Sequence, residues 1–436
     1  MNILYVNTYY YGGGAEAIAR KLYEKMSEEV NTFFLAGRIQ PDLPEEVSAS
    51  LTGLVDRSLA TLQGMNRGNT TLHIPKTTKK LLNLIRDEQI DIVHFHNMHG
   101  NYFGIDDFGK IASACGGVVV TLHDMWTFTG CCPHGMSCRK WVNPAQVQES
   151  AGQVSTGLCI ACCGNEAIGT KKEAARLLQH KQAAFCGSGV HFVTPSRWLQ
   201  EEALRSILQD EDVRVIPNGI DTGQWRTFTD AERKEARRKY KIEDERIVLL
   251  FAANRAGSPY KGYSILSQAL RQLKDPGKFA CVIIGKAGEL KEYPRKDPEV
   301  SDNKRLQILY TGYIHEQSRM NELYAMADLF LLPSLADNYP TSVMESEASG
   351  TPVFAFRTGG IPEQIPPEAG WLVDPVIRGQ EKEAAVRLCE GIEEVFAKGT
   401  LEVEKRRSLC RRFAQEHFDE RRMLERYLAL YHEILQ

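Results

Sequence analysis

The stretch DLFLLPSLADNYPTSVMESEASGTPVFAF, residues 328–356, carries the clearest signal of the fold. An apolar run, Asp328–Leu332, is followed by a polar loop and a helical stretch, and Pro352–Phe356 form a second apolar run. Apolar runs that alternate with amphipathic helices are typical of parallel sheets with crossover helices. The stretch therefore predicts a strand–loop–helix–strand unit of an α/β protein.

The same alternation extends in both directions along the chain. Glu16–Glu28 place Ile18, Leu22 and Met26 on one face of a predicted surface helix. The remaining predicted strands are Ile3–Asn7, Asn31–Leu35, Asp91–Phe95, Gly117–Leu122, Val190–Thr194, Arg246–Phe251, Phe279–Ile284 and Leu306–Tyr310. Two Rossmann-like units result.

The domain organisation follows from length and from breaks in this rhythm. A chain of 436 residues exceeds what one hydrophobic core usually supports. Pro217-Asn218-Gly219 interrupt the periodicity near the middle. We expect one domain at 1–212, with an insertion at about 126–165, a second at 213–415, and a terminal helix, 416–436, that crosses back to the first.

Composition excludes several classes of protein. With 43% hydrophobic and 25% charged residues the chain is globular rather than disordered. A formal net charge of −3 gives no general attraction to nucleic acid. Met1–Val6 resemble a strand rather than a signal peptide, and no apolar run approaches the roughly 20 residues of a membrane span. These features predict a cytoplasmic protein with reduced cysteines.

Two acids within residues 328–356 are candidate ligand contacts. Asp337 lies in the loop after a strand, and Glu345 lies about one turn into the following helix. Carboxylates accept hydrogen bonds from the vicinal hydroxyls of sugars and ribose. The alternative is helix capping, in which Asp337 or Thr341 satisfies amides at the helix start.

Two further loops follow strands and can bind an anion. Arg255 and Lys261 lie just beyond a strand, where open α/β sheets bind ligands, and their charges suit a diphosphate. Gly12–Gly14 allow a backbone to approach a phosphate, although a tight turn is equally consistent. The chain lacks the G-x-G-x-x-G and P-loop patterns, which disfavours dehydrogenase and nucleotide triphosphatase functions.

Taken in order, these motifs resemble the retaining GT-B glycosyltransferases of family four. The resemblance includes Arg255, Lys261-Gly262, the acid-x7-Glu run and Gly350–Val353 in the second half. It also includes Gly12–Gly14, Asp91–Asn97, Thr121–Asp124 and Pro217–Asp221 in the first half. It implies an α/β fold of two facing Rossmann-like domains with parallel sheets, and an active site in the cleft between them.

The resemblance also implies roles for individual residues. Arg255 and Lys261 would bind the donor diphosphate and stabilise the leaving group. Glu345 would bind the donor ribose, Asp337 with the backbone around Asn338 and Tyr339 would bind the transferred sugar, and Gly13 and Gly14 would contact the donor. His123 would face the sugar as a positioning residue rather than a general base. The family usually has Glu where this chain has Asp337, and Phe-Gly where it has Asn338-Tyr339, which leaves the sugar specificity open.

Six of the eleven cysteines cluster between Trp126 and Glu166. Cys159 and Cys162, with Cys138 and either Cys132 or the adjacent Cys131, have the spacing of two metal knuckles, which predicts a structural zinc site. Buried thiols or a disulfide are the alternatives. Asp210-Glu211-Asp212 match the short Asp-x-Asp pattern, but a solvated loop explains them better, and no catalytic metal is predicted.

The predicted reaction transfers a hexosyl unit from a nucleoside diphosphate sugar to a hydroxyl acceptor with retention. The resemblance implies a glycan or lipid-linked acceptor and a role in polysaccharide biosynthesis. Lys76, Lys79 and Lys80 beside an apolar face raise the alternatives of peripheral membrane contact and an ordinary solvated helix. A sugar-nucleotide epimerase and a non-enzymatic sugar-nucleotide-binding scaffold remain as alternative functions.

Overall fold

The structure is a computed structural model. It describes residues 1–51, 58, 71–135, 138–139, 141–142, 171–255, 258, 260–286, 305–374, 380–397 and 399–436. The chain divides into two compact units. The first comprises Met1–Pro217 together with Met423–Gln436, and the second comprises Asn218–Arg422.

The first unit is built on a parallel sheet, which has seven strands within the described residues, in the order β3-β2-β1-β4-β5-β6-β7. The strands are β1 (Asn2–Asn7), β2 (Asn31–Arg38), β3 (Ser48–Leu51), β4 (Ile92–Phe95), β5 (Gly117–Thr121), β6 (His191–Thr194) and β7 (Asp212–Val215). The central strands are buried on both faces, which explains their continuous apolar runs.

Helices connect these strands. They are α1 (Gly14–Met26), α2 (Pro75–Asp87), α3 (Phe108–Ala112), α4 (Lys171–Phe185) and α5 (Arg197–Leu204). The predicted apolar face of α1 is confirmed, because Ile18, Leu22 and Met26 are buried. The helix begins earlier than predicted, at Gly14, because Glu16 caps it by accepting a hydrogen bond from the Gly13 N–H.

The second unit is likewise built on a parallel sheet, with six strands in its described part, in the order β10-β9-β8-β11-β12-β13. Its strands are β8 (Ile247–Arg255), β9 (Phe279–Lys286), β10 (Gln307–Gly312), β11 (Leu329–Leu332), β12 (Val353–Phe356) and β13 (Gly370–Val373). Its helices are α6 (Asp230–Lys239), α7 (Tyr263–Leu270), α8 (Gln317–Met326), α9 (Thr341–Ala348), α10 (Glu381–Phe396) and α11 (Leu401–His417). The predicted strand–loop–helix–strand unit at 328–356 is therefore confirmed.

The C-terminal helix differs from the sequence-based expectation of one helix over Glu416–Leu435. Helix α11 ends at His417, and α12 occupies Glu420–Ile434. Between them Asp419 forms an isolated parallel bridge with Ile220: Ile220 N–H donates to the Phe418 carbonyl at 2.8 Å, and Glu420 N–H donates to the Ile220 carbonyl at 3.0 Å. These two hydrogen bonds replace helical ones, so the predicted continuous helix is wrong at its start.

Three short strands were not predicted: β3, β7 and β13. All three lie at sheet edges. An edge strand is covered less completely than a central one, so its sequence carries a weaker apolar signal. In the part of the chain that the structure describes, no helix has the length and apolar character needed to cross a bilayer.

Candidate active site

Lys261 and Asp337, predicted separately from two loops, meet in the second unit. Lys261 Nζ donates to Asp337 Oδ2 at 2.6 Å, and Ser334 Oγ donates to the same oxygen at 3.3 Å. The Lys261 side chain is one-third exposed and that of Asp337 is 12% exposed. The pair lies beyond the carboxyl ends of β8 and β11, which are neighbours in the sheet, so it forms an accessible charged site where α/β folds bind ligands.

A glycine allows these two loops to approach. Gly262 adopts a φ of +74°, and a Cβ built on it would lie 1.8 Å from the Pro333 carbonyl oxygen. The Leu335 N–H donates to the Tyr260 carbonyl at 2.8 Å and holds the loops together. Backbone contact between the loops therefore sets the position of Lys261 against Asp337.

The residues after Asp337 are buried in the fold. Asn338 is 4% exposed, and Tyr339 packs edge-on against Phe418 with ring centroids 6.4 Å apart. The Gly360 N–H donates to the Asp337 carbonyl at 3.3 Å, which ties this loop to the one after β12. A ligand at this loop would therefore meet its backbone and Asp337 rather than the Tyr339 ring.

Glu345 lies on α9 and is oriented by a tyrosine. Tyr324 OH donates to Glu345 Oε2 at 3.2 Å. Burial, together with the nearby Glu345 carboxylate, raises the pKa of Tyr324 well above its ordinary value, so the hydroxyl remains a donor. The arrangement holds one carboxylate oxygen in place, as a group that binds a diol requires.

Arg255 is the last residue of β8, and its backbone pairs with Lys286 of β9. Its side chain lies outside the described residues, as do Gly257 and Pro259 of the same loop. Its predicted role beside Lys261 therefore stays a prediction.

The Gly12–Gly14 loop of the first unit connects β1 to α1. The Gly13 N–H donates to Glu16 Oε2 at 2.8 Å, and Asn97 Nδ2 lies 3.5 Å from Glu16 Oε1. A carboxylate thus occupies the position at which a phosphate would meet this amide. A donor phosphate can bind the Gly13 N–H only by displacing Glu16.

His123 follows β5 and is hydrogen-bonded to a second histidine. His96 Nδ1 and His123 Nε2 are 2.8 Å apart, and the two rings lie edge to edge, with centroids 5.1 Å apart and an interplanar angle of 18°. Burial lowers the pKa of His123 to about 4, against an opposing effect of Asp124. His123 is therefore neutral at physiological pH.

Asp124 helps to hold the loop that carries His123. It accepts hydrogen bonds from the Trp126 N–H at 2.8 Å and from His99 Nε2 at 3.2 Å. Burial would raise the pKa of Asp124, but these two partners outweigh it, and the pKa is lowered. The ionised Asp124 thus fixes the turn that follows β5.

The contacts of His96 with His123 and of Asp124 with His99 are not among those predicted from the sequence. A signal was available, because Asp91–Asn97 and Thr121–Asp124 both contain strand ends, and β4 and β5 pair in parallel. The carboxyl ends of neighbouring parallel strands lie at one sheet edge, so the polar residues that follow them are brought together.

The predicted zinc ligands are only partly within the structure. Cys132 and Cys138 are buried, whereas Cys159 and Cys162 lie outside the described residues. Among the residues that are described, no three His, Cys, Asp or Glu side chains form a metal-binding group. The zinc site therefore remains a sequence-based prediction.

Two family models match successive parts of this chain. Residues 12–224 match the model described as Glycosyltransferase Family 4, and residues 232–398 match Glycosyl transferases group 1. Together the two matches include most of both units. The resemblance noted from the motifs is therefore supported in each half of the chain.

Curated relatives align over part of their length. An uncharacterized glycosyltransferase of Methanocaldococcus jannaschii is 28% identical over 175 residues, 40% of this chain and 44% of that protein. A D-inositol 3-phosphate glycosyltransferase of Corynebacterium glutamicum is 29% identical over 170 residues, 37% of this chain and 40% of that protein. The chain thus spans less than half the length of these relatives.

A solved structure is similar over the whole chain. Anabaena Alr3699/HepE, in complex with UDP-glucose, matches with a TM-score of 0.63 and 16% identity, and the match covers 99% of this chain and 100% of that one. At this identity the similarity bears on the fold. The predicted α/β GT-B fold class, with two Rossmann-like parallel-sheet units, is confirmed.

Proposed function

We propose that this chain transfers a hexosyl unit from a nucleoside diphosphate sugar to a hydroxyl acceptor with retention of the anomeric configuration. The proposal is supported by its GT-B fold and by its successive matches to two glycosyltransferase families. In this reaction the bond from the anomeric carbon to the diphosphate oxygen breaks, and a bond to the acceptor oxygen forms on the same face. The acceptor proton passes to the leaving diphosphate.

The contact between Lys261 and Asp337 carries this proposal. The ammonium group lies 2.6 Å from the carboxylate, so a cation and an acid are held together where a diphosphate and its sugar would meet. Lys261 would take the charge that develops on the leaving group, and Asp337 would accept hydrogen bonds from sugar hydroxyls. Glu345, held by Tyr324, would bind the ribose diol.

A nucleotide-sugar donor is supported by fold similarity. The Anabaena protein was solved with UDP-glucose, although its 16% identity transfers no base or sugar preference to this chain. The Corynebacterium relative is named for a phosphorylated polyol acceptor. For this chain a glycan or lipid-linked acceptor remains our proposal.

Fewer lysines of α2 are available for peripheral membrane contact than the three predicted from the sequence. Lys80 Nζ donates to the Ala49 carbonyl at 2.7 Å, and burial lowers the pKa of Lys80. Its ammonium is therefore engaged with β3, and Lys76 and Lys79 are the exposed cations among those three. We propose membrane contact only through this reduced surface.

The test combines donor binding with product analysis. Purified protein is screened by thermal shift against UDP-, GDP- and ADP-hexoses, and the stabilising donor is then incubated with a panel of octyl glycosides. We expect one donor class to raise the melting midpoint by mass action, and NMR of the first product to show a retained anomeric configuration. Lys261→Ala and Glu345→Ala should lose both effects.

Lys239→Ala is the matched control, since Lys239 forms an exposed ion pair with Glu322 in the same unit. Its donor response should equal that of the wild type. A midpoint shift without any product would favour the binding-scaffold alternative. An inverted product would contradict retention, and the absence of a shift with every donor would contradict the proposed function.

A further inference from the structure

His96 lies between two other histidine rings in the first unit, stacked on His94 and edge to edge with His123. Its ring centroid is 4.3 Å from that of His94 and 5.1 Å from that of His123, with interplanar angles of 29° and 18°. The side chain is almost wholly buried, with 2% exposure. His94 on one face and the hydrogen bond to His123 at the ring edge fix the plane of the His96 ring and therefore the direction of its two nitrogens.

The contact between His96 and His123 requires one shared proton. Nδ1 of His96 and Nε2 of His123 are 2.8 Å apart, a hydrogen-bond distance. A neutral imidazole carries a proton on one nitrogen only. Either His96 donates from Nδ1 to His123, or His123 donates from Nε2 to His96.

The other nitrogen of His96 distinguishes these two states. His96 Nε2 is buried and has no hydrogen-bond partner among the described residues. If His123 were the donor, the His96 proton would sit on Nε2 as an unsatisfied buried N–H. Buried N–H groups without an acceptor are rarer in proteins than buried acceptors without a donor. Donation from His96 to His123 is therefore favoured.

Neighbouring groups do not change the preference for donation from His96 to His123. His94 bonds through Nδ1 to Tyr431 OH and through Nε2 to Thr121 Oγ1, both at 2.7 Å, so both its nitrogens are engaged. The nearby acid, Asp124, is bonded to His99 and to the Trp126 N–H. Burial also lowers the pKa of His96 well below its usual value, which keeps its ring neutral.

We propose that His96 is a positioning residue that holds the proton of His123 on Nδ1. In this tautomer the Nε2 lone pair of His123 is engaged by His96, and Nδ1 can only donate. If the proposed function holds, His123 in this tautomer cannot accept the proton of the acceptor hydroxyl, because its Nε2 lone pair is engaged by His96 and its Nδ1 carries the proton. The geometry thereby separates a positioning histidine from a general base.

The test reads the tautomer directly. The full-length protein is labelled with 15N-histidine, and long-range 1H–15N correlation spectra are recorded at pH 7 without substrate, with His123→Asn used to identify the His123 signals. We expect a protonated Nδ1 and a bare Nε2 on His123 in the wild type. A protonated Nε2 on His123 would overturn the proposal, and this measurement needs no variant of His96.

Two substitutions separate positioning from packing. In His96→Asn the side-chain amide can still donate to His123 Nε2, so we expect the Nδ1-protonated tautomer to persist. In His96→Leu the donor is lost and the bare Nε2 of His123 has no hydrogen bond from His96, so we expect its 15N resonance to move downfield. An unchanged Nε2 resonance in a folded His96→Leu would contradict the proposal. His180→Asn is the control, because His180 pairs with Asp106 on another part of the unit and should leave the His123 signals unchanged.

Kinetics test the second half of the proposal independently. With the donor identified by thermal shift, His96→Leu should lower kcat/KM by about tenfold, the size expected for loss of the one hydrogen bond that orients His123, while His96→Asn stays close to the wild type. The predicted tautomer in a protein without turnover would contradict the proposed function but not the role of His96. Turnover with the opposite tautomer would contradict the role of His96 alone.

Discussion

For single residues, burial and partners determine what each ionisable group can do. Lys261 and Asp337 are partly exposed and paired, so both keep their charges available to a ligand. His123 is neutral because of its burial. Glu347, two residues beyond Glu345, is in a different situation: it is fully buried, and neither carboxylate oxygen has a hydrogen-bond partner among the described residues. Its environment favours the protonated form.

The burial of Glu347 predicts that the stability of the protein depends on pH. Burial raises the pKa of Glu347 well above its ordinary value. A carboxyl group whose pKa is raised by folding contributes fully to the free energy of unfolding below its unfolded-state pKa, about 4.3. This contribution is lost as the pH rises towards the folded-state pKa. Glu347→Gln removes this loss, so we expect its midpoint to exceed that of the wild type by an amount that grows from pH 5 to pH 8.

Differential scanning fluorimetry across this pH range checks the expectation. Glu390→Gln, an exposed position on α10, serves as the control and should follow the wild-type pH dependence. A difference between Glu347→Gln and the wild type that stays constant with pH would mean that Glu347 ionises normally in the folded protein.

Among the elements, the loops after strands carry the site, and backbone contacts hold them. The loop before α7 passes so close to the loop after β11 that a side chain at Gly262 has no room. In the first unit, the turn that follows His123 is held by Lys181 of α4. Its buried ammonium donates to the carbonyls of Trp126, Thr129 and Gly130.

Gly262→Ala should disrupt the donor site. The new Cβ would lie 1.8 Å from the Pro333 carbonyl oxygen, so the two loops must separate and Lys261 must move from Asp337. Gly399→Ala is the matched control, since Gly399 has a similar φ of +77° but, among the described residues, no atom beyond its own neighbours within 4 Å of the point where a Cβ would lie.

Both changes should cost about 1 kcal/mol through the left-handed backbone, but only Gly262→Ala should also lose the donor-induced thermal shift. The measurement is the melting midpoint with and without the stabilising sugar nucleotide. Equal donor shifts in the two variants would show that the close approach at Gly262 does not position the site.

Lys181→Met should destabilise the turn after β5. The Lys181 side chain is fully buried, and its Nζ lies 3.6 Å from the Trp126 ring centroid. Its removal leaves carbonyls without their charged donor, at a cost of about 3 kcal/mol. Hydrogen exchange should rise at residues 126–130, and the midpoint should fall.

Lys25→Met, at an exposed position of α1, is the control for loss of one lysine charge and should change stability by less than about 0.5 kcal/mol. If the two variants showed the same exchange at residues 126–130, Lys181 would not be what holds this turn.

In the molecule as a whole, the chain's last residues belong with its first. Met423–Gln436 group with Met1–Pro217, and two tyrosines of α12 join the polar interior of the first unit. Tyr431 OH lies 2.7 Å from His94 Nδ1, and Tyr427 OH lies 2.9 Å from Thr121 Oγ1. The integrity of the first unit therefore depends on residues about 300 positions away along the chain.

Tyr431→Phe should weaken the first unit selectively. The change removes one hydroxyl and leaves His94 Nδ1 buried without its partner, which costs about 1–3 kcal/mol. Hydrogen exchange should increase in β4 and β5, while that of β8 and β11 stays at the wild-type level. Tyr9→Phe, whose ring is 37% exposed, should change neither. Equal effects on both units would contradict a local role of the hydroxyl.

Sequence patterns alone were sufficient for the α/β class, the central strands and most of the residues in the candidate site. Central strands such as Ile3–Asn7 are buried on both faces and therefore have continuous apolar runs, and the acid-x7-Glu run and Lys261-Gly262 are local patterns. Three of the four edge strands of the described sheets and the break at Phe418 were missed, because an edge strand is only partly covered and the break depends on pairing with Ile220, far away in sequence.

Which of these residues meet was established only by the folded chain. The ion pair of Lys261 with Asp337 and the hydrogen bond of His96 with His123 each join the loops after two strands that are neighbours in a sheet. The occupation of the Gly13 amide by Glu16 and the burial of Glu347 likewise depend on packing. Sequence patterns record burial and local conformation, whereas hydrogen bonds between distant side chains and the resulting pKa shifts arise only when the chain is folded.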